Sequence, residues 1–254
     1  MWPMVRTLIA GNWKMNGLGA SLEQVERVKS GLESLPDTAD CLICPPATLL
    51  HPMAAMSGPR ILTGGQYCHP EESGANTGDI SAEMLIDAGA SHVIVGHSER
   101  RADHAERSVY VQEQAYAALR AGLTPIICIG ENYNERQRGE TDRVNERVLL
   151  KSMPYMAPLR TDAYFVVAYE PKWAIGTGQT PTLEEIESAH AHIRKILVEH
   201  QGVAGEKTPI LYGGSVKPTN AGEIFAVPNV NGGLIGGASL KAEDFLAIYE
   251  AVVR

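Results

Sequence analysis

The sequence predicts an α/β fold, a closed barrel of eight parallel strands with helices on its outside, and three observations support it. Short apolar segments bounded by glycine, proline or polar residues alternate with amphipathic stretches from one end of the chain to the other. A strand followed each time by a helix implies a crossover connection, and therefore parallel pairing. Eight such units in 254 residues match the size at which a (β/α)8 sheet closes on itself. The structural rival is an open doubly wound sheet, but no Gly-x-Gly-x-x-Gly follows the first strand. No Pro-rich or Ser/Gly-rich spacer, low-complexity tract or run of like charges marks a boundary, so residues 1–254 are expected to form a single domain.

The candidate strands are Thr7–Asn12, Cys41–Cys44, Ile61–Gly65, His92–Gly96, Thr124–Ile129, Ala163–Tyr169, Pro209–Tyr212 and Gly233–Ile235. Apolar residues at helical spacing mark Leu22–Leu35, Ala82–Ala88, Val109–Ala121, Val144–Met153, Leu183–Gln201 and Ala242–Val253 between and after them. Thr182, with Glu185 three residues on, forms a capping box that opens one of these helices.

In barrels of this kind chemistry collects where strands end and the following loops begin. At the first strand end, alternation places Asn12 and Lys14 on one side and Trp13 on the other, so both polar groups can reach the mouth. A solvated lysine is the plainer reading of Lys14. The third strand runs into a long irregular stretch, Gln66 to Asp79, which fits a lid, a partner contact or a floppy loop. The fourth ends in Gly96-His97-Ser98-Glu99-Arg100-Arg101, with His97 just before polar residues that could open a short helix. Backbone amides aimed at one ring nitrogen would disfavour the imidazolium and leave the other nitrogen as a neutral donor. Glu99 suits either an ion pair with an arginine or a direct part in proton transfer.

The fifth strand end, Cys128-Ile129-Gly130-Glu131, reads as core plus turn. At the sixth, Glu170 is an acid at the end of a buried strand, and Pro171 biases it toward extended geometry. Gly176 and Gly178 flank Thr177 and free the far side of an apolar tip, Ala174-Ile175, which together suggest a base beside a lid. An exposed acid before an ordinary turn would have the same composition. The seventh and eighth strands end in Tyr212-Gly213-Gly214-Ser215-Val216 and Ile235-Gly236-Gly237-Ala238-Ser239. Glycines that permit close backbone approach at these two positions suit a phosphate cradle.

Composition excludes several alternatives. A formal charge of -8 argues against nucleic acid as the main partner, while leaving room for local capture of an anion. No apolar run approaches the ~18 residues that span a bilayer and no basic leader precedes an apolar core, so no membrane partner and a cytoplasmic location are expected. Cys41, Cys44, Cys68 and Cys128 lie in apolar surroundings and read as reduced core thiols. Cys41-Leu-Ile-Cys44 lacks a second pair and runs into two prolines, which argues against metal. His190 and His192, two apart on a helix, read as surface histidines.

The set Ala10–Asn16, Gly96–Arg101, Tyr169-Glu170-Pro171, Trp173–Gly178, Tyr212–Val216 and Gly236–Leu240, in this order, closely resembles the triosephosphate isomerases over the whole chain. The resemblance implies a homodimeric TIM barrel, free of metal and organic cofactor, acting in glycolysis and gluconeogenesis. Its substrate would be a small phosphorylated sugar, dihydroxyacetone phosphate interconverting with glyceraldehyde 3-phosphate. Carried over residue by residue, it makes Glu170 the base, His97 the electrophile, Lys14 and Asn12 polar anchors, and Pro171, Lys172, Trp173, Ala174, Ile175, Gly176, Thr177 and Gly178 the closing lid. Gly176, Ser215, Gly236 and Gly237 would offer amides to the phosphate. Thr77 would insert beside the partner's active site, and Asp79 could pair with Arg100 across the interface. Lys172 departs from the family, which more commonly has valine there. An isomerase of a longer sugar phosphate, such as a tetrulose phosphate, and a non-catalytic phosphate-metabolite binder are the rival readings.

Overall fold

The computed structural model describes residues 6–154, 164–174 and 180–253. In chain order, β1 (Thr7–Asn12) and α1 (Leu22–Glu33) lead to β2 (Ala39–Cys44), α2 (Ala47–Ser57) and β3 (Ile61–Gly65). Next come α3 (Ala82–Asp87), β4 (His92–Val95), α4 (Ser98–Asp103), α5 (Ser108–Ala121), β5 (Thr124–Ile129), α6 (Tyr133–Gln137) and α7 (Thr141–Ser152). The second half holds β6 (Val166–Tyr169), α8 (Leu183–Gln201), α9 (Val203–Lys207), β7 (Ile210–Tyr212), α10 (Ala221–Phe225), β8 (Gly232–Ile235) and α11 (Ala242–Val253). The strands form a closed barrel in sequence order. Every pairing is parallel, including the seam where Leu8 to Gly11 of β1 meet Gly232 to Ile235 of β8.

Two apolar layers explain why the strands read as continuous hydrophobic runs rather than alternating ones. Leu8, Ala10, Leu42, Ile94, Ile126, Ala168 and Leu211 fill the barrel interior. Their neighbours one step along, such as Ile9, Ile43, Val93, Ile127, Val167 and Ile210, face outward onto the helices. Both faces are therefore dry, and period-2 side-chain direction is preserved beneath an unbroken apolar sequence. At the seam Gly232 has φ +124°, and a Cβ there would lie 2.0 Å from the Leu8 carbonyl oxygen. Only glycine closes the barrel at that point.

The expected helices from Leu183 and Ala242 end where predicted, and the others differ by a few residues at their ends. The Thr182–Glu185 capping box is present with both of its hydrogen bonds. The sequence reading missed α2, which is apolar on most of its faces and carries Pro52 inside it, so it lacks the amphipathic stripe that marks a surface helix. The short helix expected after His97 is α4, while α6, α9 and α10 were missed, being too brief for periodicity to register. Strand β6 begins at Val166, three residues after the expected Ala163, which lies outside the described residues.

One expectation is corrected in the core. His190 is not a surface histidine: it is fully buried, with Nδ1 3.1 Å from the Asn229 carbonyl and its ring edge-on to Tyr169. Its position on the inner face of α8 placed it there, and spacing relative to His192 carries no information about that face. The four cysteines are buried free thiols, as expected. Among the described residues no helix is long and apolar enough to cross a membrane.

Candidate active site

The carboxyl ends of the strands bring distant residues to one rim. Asn12, Lys14, His97, Glu170, Gly213, Gly214, Ser215, Gly236 and Gly237 line a single cleft of about 840 Å³. Asn12 closes β1 and is buried, and its Oδ1 accepts the Lys14 amide at 3.0 Å. Lys14 is held at φ +54°, a left-handed conformation that costs a non-glycine residue free energy. The Gln66 amide offsets this by donating to the Lys14 carbonyl at 2.9 Å and to the Cys44 carbonyl at 2.9 Å. The lysine ammonium then reaches Glu99 Oε1 at 2.6 Å. Glu99 thus pairs with a lysine, and the arginine partner expected from the sequence is not the one it takes.

His97 caps the start of α4, and its Nδ1 accepts the Glu99 amide at 3.3 Å. An amide proton aimed at Nδ1 favours, against the pull of the nearby carboxylates toward the imidazolium, the neutral tautomer whose own N–H sits on Nε2. That nitrogen lies 2.9 Å from Glu170 Oε1. Both side chains are almost wholly buried, at 6% and 2% exposure, which makes the contact strong and its environment dry. Burial pushes the His97 pKa down, but the adjacent Glu170 carboxylate, with Glu99 adding to it, draws it above its ordinary value. Burial likewise pushes Glu170 up, and His97, the Ser98 amide and Lys14 outweigh it and hold the carboxyl below its ordinary value. Glu170 Oε2 accepts the Ser98 amide at 3.0 Å, so both carboxylate oxygens are engaged in this state.

The backbone that carries Glu170 is fixed on both sides. Its amide donates to the Ile129 carbonyl at 2.7 Å, and the Gly213 amide donates to the Tyr169 carbonyl at 2.8 Å. Gly130 permits this approach, because a Cβ on it would fall 1.7 Å from the Glu170 carbonyl oxygen. The turn that read as quiet is a close backbone crossing beneath the acid.

Glu131 follows that glycine, and sequence reasoning passed over it. It is fully buried and accepts Tyr169 Oη at 3.2 Å and Trp173 Nε1 at 2.9 Å. Trp173 lies in the expected lid, and the Arg136 guanidinium stacks over its ring at 5.2 Å while pairing with Glu185. A carboxylate directly after a glycine at a strand end was the available signal. Pro171, Lys172, Trp173 and Ala174 are described, with the Ala174 amide donating to the Pro171 carbonyl at 2.8 Å. Ile175, Gly176, Thr177 and Gly178 lie outside the described residues. Burial lowers the Lys172 pKa, with Arg101 adding to the effect and Glu135, Glu170 and Glu131 opposing it.

On the opposite side, Gly236 leads into a turn of 3-10 helix at Gly237–Leu240. Ser239 Oγ donates to the Gly236 carbonyl at 2.7 Å, and Trp13 Nε1 donates to the Ser239 carbonyl at 3.0 Å. The glycine loop is therefore tied back to the loop that carries Lys14. A family model described as triosephosphate isomerase matches residues 7–252. The chain belongs to the triosephosphate isomerase family.

Relatives agree over full length. Triosephosphate isomerase of Hyphomonas neptunium is 58% identical over 252 residues, covering 99% of this chain and 100% of the relative. The Afipia carboxidovorans triosephosphate isomerase is 58% identical, covering 97% and 98%. Among solved structures, the triosephosphate isomerase from Bartonella henselae superposes with a TM-score of 0.88 at 43% identity, covering 98% of this chain and 100% of that one.

For a triosephosphate isomerase family member, the third loop is the remaining feature of interest. Glu71 to Asp79, including Thr77, is exposed. Tyr67 organises its base: the hydroxyl donates to Asp79 Oδ1 at 3.0 Å and the Arg100 guanidinium stacks on the ring at 4.0 Å. Arg100 also pairs with Glu106 at 2.7 Å. Asp79 and Arg100 thus contact the same tyrosine within the chain.

Proposed function

We propose that the protein interconverts dihydroxyacetone phosphate and D-glyceraldehyde 3-phosphate by proton transfer through an enediolate, in glycolysis and gluconeogenesis. The observation that carries this reading is the direct Glu170–His97 contact, with Lys14 and the two glycine loops in the same cleft. Isomerisation requires a proton to leave one carbon and reach its neighbour while charge builds on two oxygens. Glu170 is the base that takes the proton from one carbon and returns it to the next. Its hold on His97 and Ser98 is released as substrate enters, freeing Nε2–H to donate to the substrate oxygens in turn. A glutamate base with a neutral imidazole electrophile is the assignment known for this enzyme class.

Lys14 and Asn12 face the developing oxyanion, and the amides of Ser215, Gly236 and Gly237, with Gly176 of the lid, bind the phosphate. A positioned base contributes on the order of 10²- to 10⁴-fold and each preorganised donor about 3 kcal/mol, so base, imidazole and lysine together supply roughly 10 kcal/mol. The lid, residues 171 to 178, excludes water and keeps the phosphate from leaving the intermediate. No step needs a metal or organic cofactor.

The protein works as a cytoplasmic homodimer in this reading. Met15 and Leu18 are 96% and 80% exposed beside the active-site lysine, apolar surface that a partner's third loop would cover, with Thr77 inserted and Asp79 meeting Arg100. Steady-state assay of the purified protein with dihydroxyacetone phosphate and a tetrulose phosphate side by side tests the proposal. Rapid turnover of the triose alone is expected. Preference for the tetrulose would reassign the substrate, and binding of either without turnover would overturn the enzymatic reading.

A further inference from the structure

Arg101 is a cation that the reaction above does not use. It lies on α4, four residues after His97, partly buried, and each of its hydrogen bonds goes to a neutral oxygen. Nε donates to the Gly96 carbonyl at 2.7 Å and Nη2 to the Cys128 carbonyl at 3.1 Å. Nη1 donates to Ser108 Oγ at 3.2 Å, and Nη2 also to Ser152 Oγ at 3.1 Å. Among the described residues no carboxylate pairs with it. Gly96 is the residue before His97, and Cys128 lies on β5, paired in register with Ala168 two residues before Glu170. One planar fork therefore joins the end of β4, which carries the imidazole, to β5, the strand that lies between β4 and the β6 end bearing Glu170, and ties both to α5 and α7.

We propose that Arg101 is a positioning residue for the isomerisation, pinning the strand ends that carry His97 and flank Glu170. A lysine cannot replace it, because a single ammonium lacks the fork needed to reach several acceptors held at fixed directions. Its charge has a second effect. Arg101 faces Glu170, Glu106 and the Cys128 thiol, with Lys172 as a like charge on the lid side. Glu170 itself also faces His97 and Lys14. Removing a cation from this set disfavours the ionised base, whose protonated form cannot accept a proton.

This inference rests on the isomerase reading, and the two fail differently: an inactive wild type sinks that reading, whereas this one is read as a ratio to wild type. Arg101→Gln, Arg101→Lys and the double variant Ser108→Ala/Ser152→Ala are compared by kcat, KM, the acid limb of kcat/KM against pH, and circular dichroism. Misplacement of reacting groups by about 1 Å costs on the order of 10²-fold. Arg101→Gln is therefore expected to lose about that much in kcat with KM altered less than about threefold, and to move the acid limb to higher pH. Arg101→Lys should keep the limb near its wild-type position while recovering only part of kcat. The serine pair, which leaves the cation in place, should lower kcat several-fold with the limb unmoved. Folded Arg101→Gln with wild-type kcat and an unshifted limb would overturn the proposal, as would activity losses that simply track the unfolded fraction. If neither arginine variant folds, the serine pair decides, and unchanged kcat there contradicts it.

Discussion

Glu170 is held by two donors in the open cleft, and that arrangement explains how one carboxylate is both stable and reactive. Buried and unpaired it would take up a proton; engaged by His97 and the Ser98 amide it stays ionised, ready to exchange those partners for a substrate carbon. Lys14 plays the complementary part, a cation reaching Glu99 at 2.6 Å from a strained backbone, so its ammonium is already at the rim. Lys14→Met removes that charge while keeping similar bulk. Its loss of one oxyanion partner predicts kcat/KM lower by about 10²-fold or more, with both constants affected. Steady-state constants equal to wild type would show that the ammonium does not meet the substrate. The gathering of Asn12, Lys14, His97, Glu170, Ser215 and Gly236 in one cleft was legible because each lies at a strand end or in the loop that follows it, where a polar residue or a glycine interrupts an apolar run. His190 was not, since what distinguishes it is burial against Tyr169 on a neighbouring strand, and Glu131, though visible as an acid at a strand end, owes its part to its buried bonds with Tyr169 and Trp173.

At the scale of elements, the site depends on loops that let backbones approach. Gly130 separates β5 from the Glu170 peptide, and a methyl group placed there collides with the Glu170 carbonyl oxygen at 1.7 Å. The clash is with backbone, which cannot rotate aside. Gly130→Ala is therefore expected to displace the end of β6, lowering the thermal unfolding temperature and cutting kcat by about 10²-fold through misplacement of the base. Calorimetry with the isomerase assay measures both, and a variant that melts and turns over like wild type would contradict this account of the crossing. Helix α4 supplies another element-scale device: its first turn aims the Glu99 amide at His97, as expected from a histidine followed by polar residues. The helix itself was too short to be called from periodicity. The capping box of α8 was readable because it is a local pattern, whereas α2 was hidden by its proline and its even apolarity.

The whole molecule couples stability to pH through histidines remote from the chemistry. His92 and His190 are buried neutral, and burial takes each from 6.5 down to about 4. Between these values the unfolded chain binds protons that the folded chain does not, so stability is full above about pH 6.5 and falls as pH drops toward 4. Each group contributes up to about 3 kcal/mol of that loss. Denaturant unfolding from pH 7 to 4.5 should show the decline, and His190→Asn should flatten its slope; a profile independent of pH over this range would contradict the burial argument. The closed barrel itself was legible because strand count, chain length and parallel alternation all constrain one topology. Its precision was not, because it arises from contacts such as Gly232 against Leu8 that no local pattern reveals. That precision is what holds an acid from β6 against an imidazole from β4 at 2.9 Å. The direct test is kcat for dihydroxyacetone phosphate with Glu170→Asp, which withdraws the carboxylate by about 1 Å without changing its chemistry. Turnover lower by roughly 10²-fold or more in a protein with a wild-type circular dichroism spectrum is the predicted result. Wild-type turnover would remove Glu170 from the role of base.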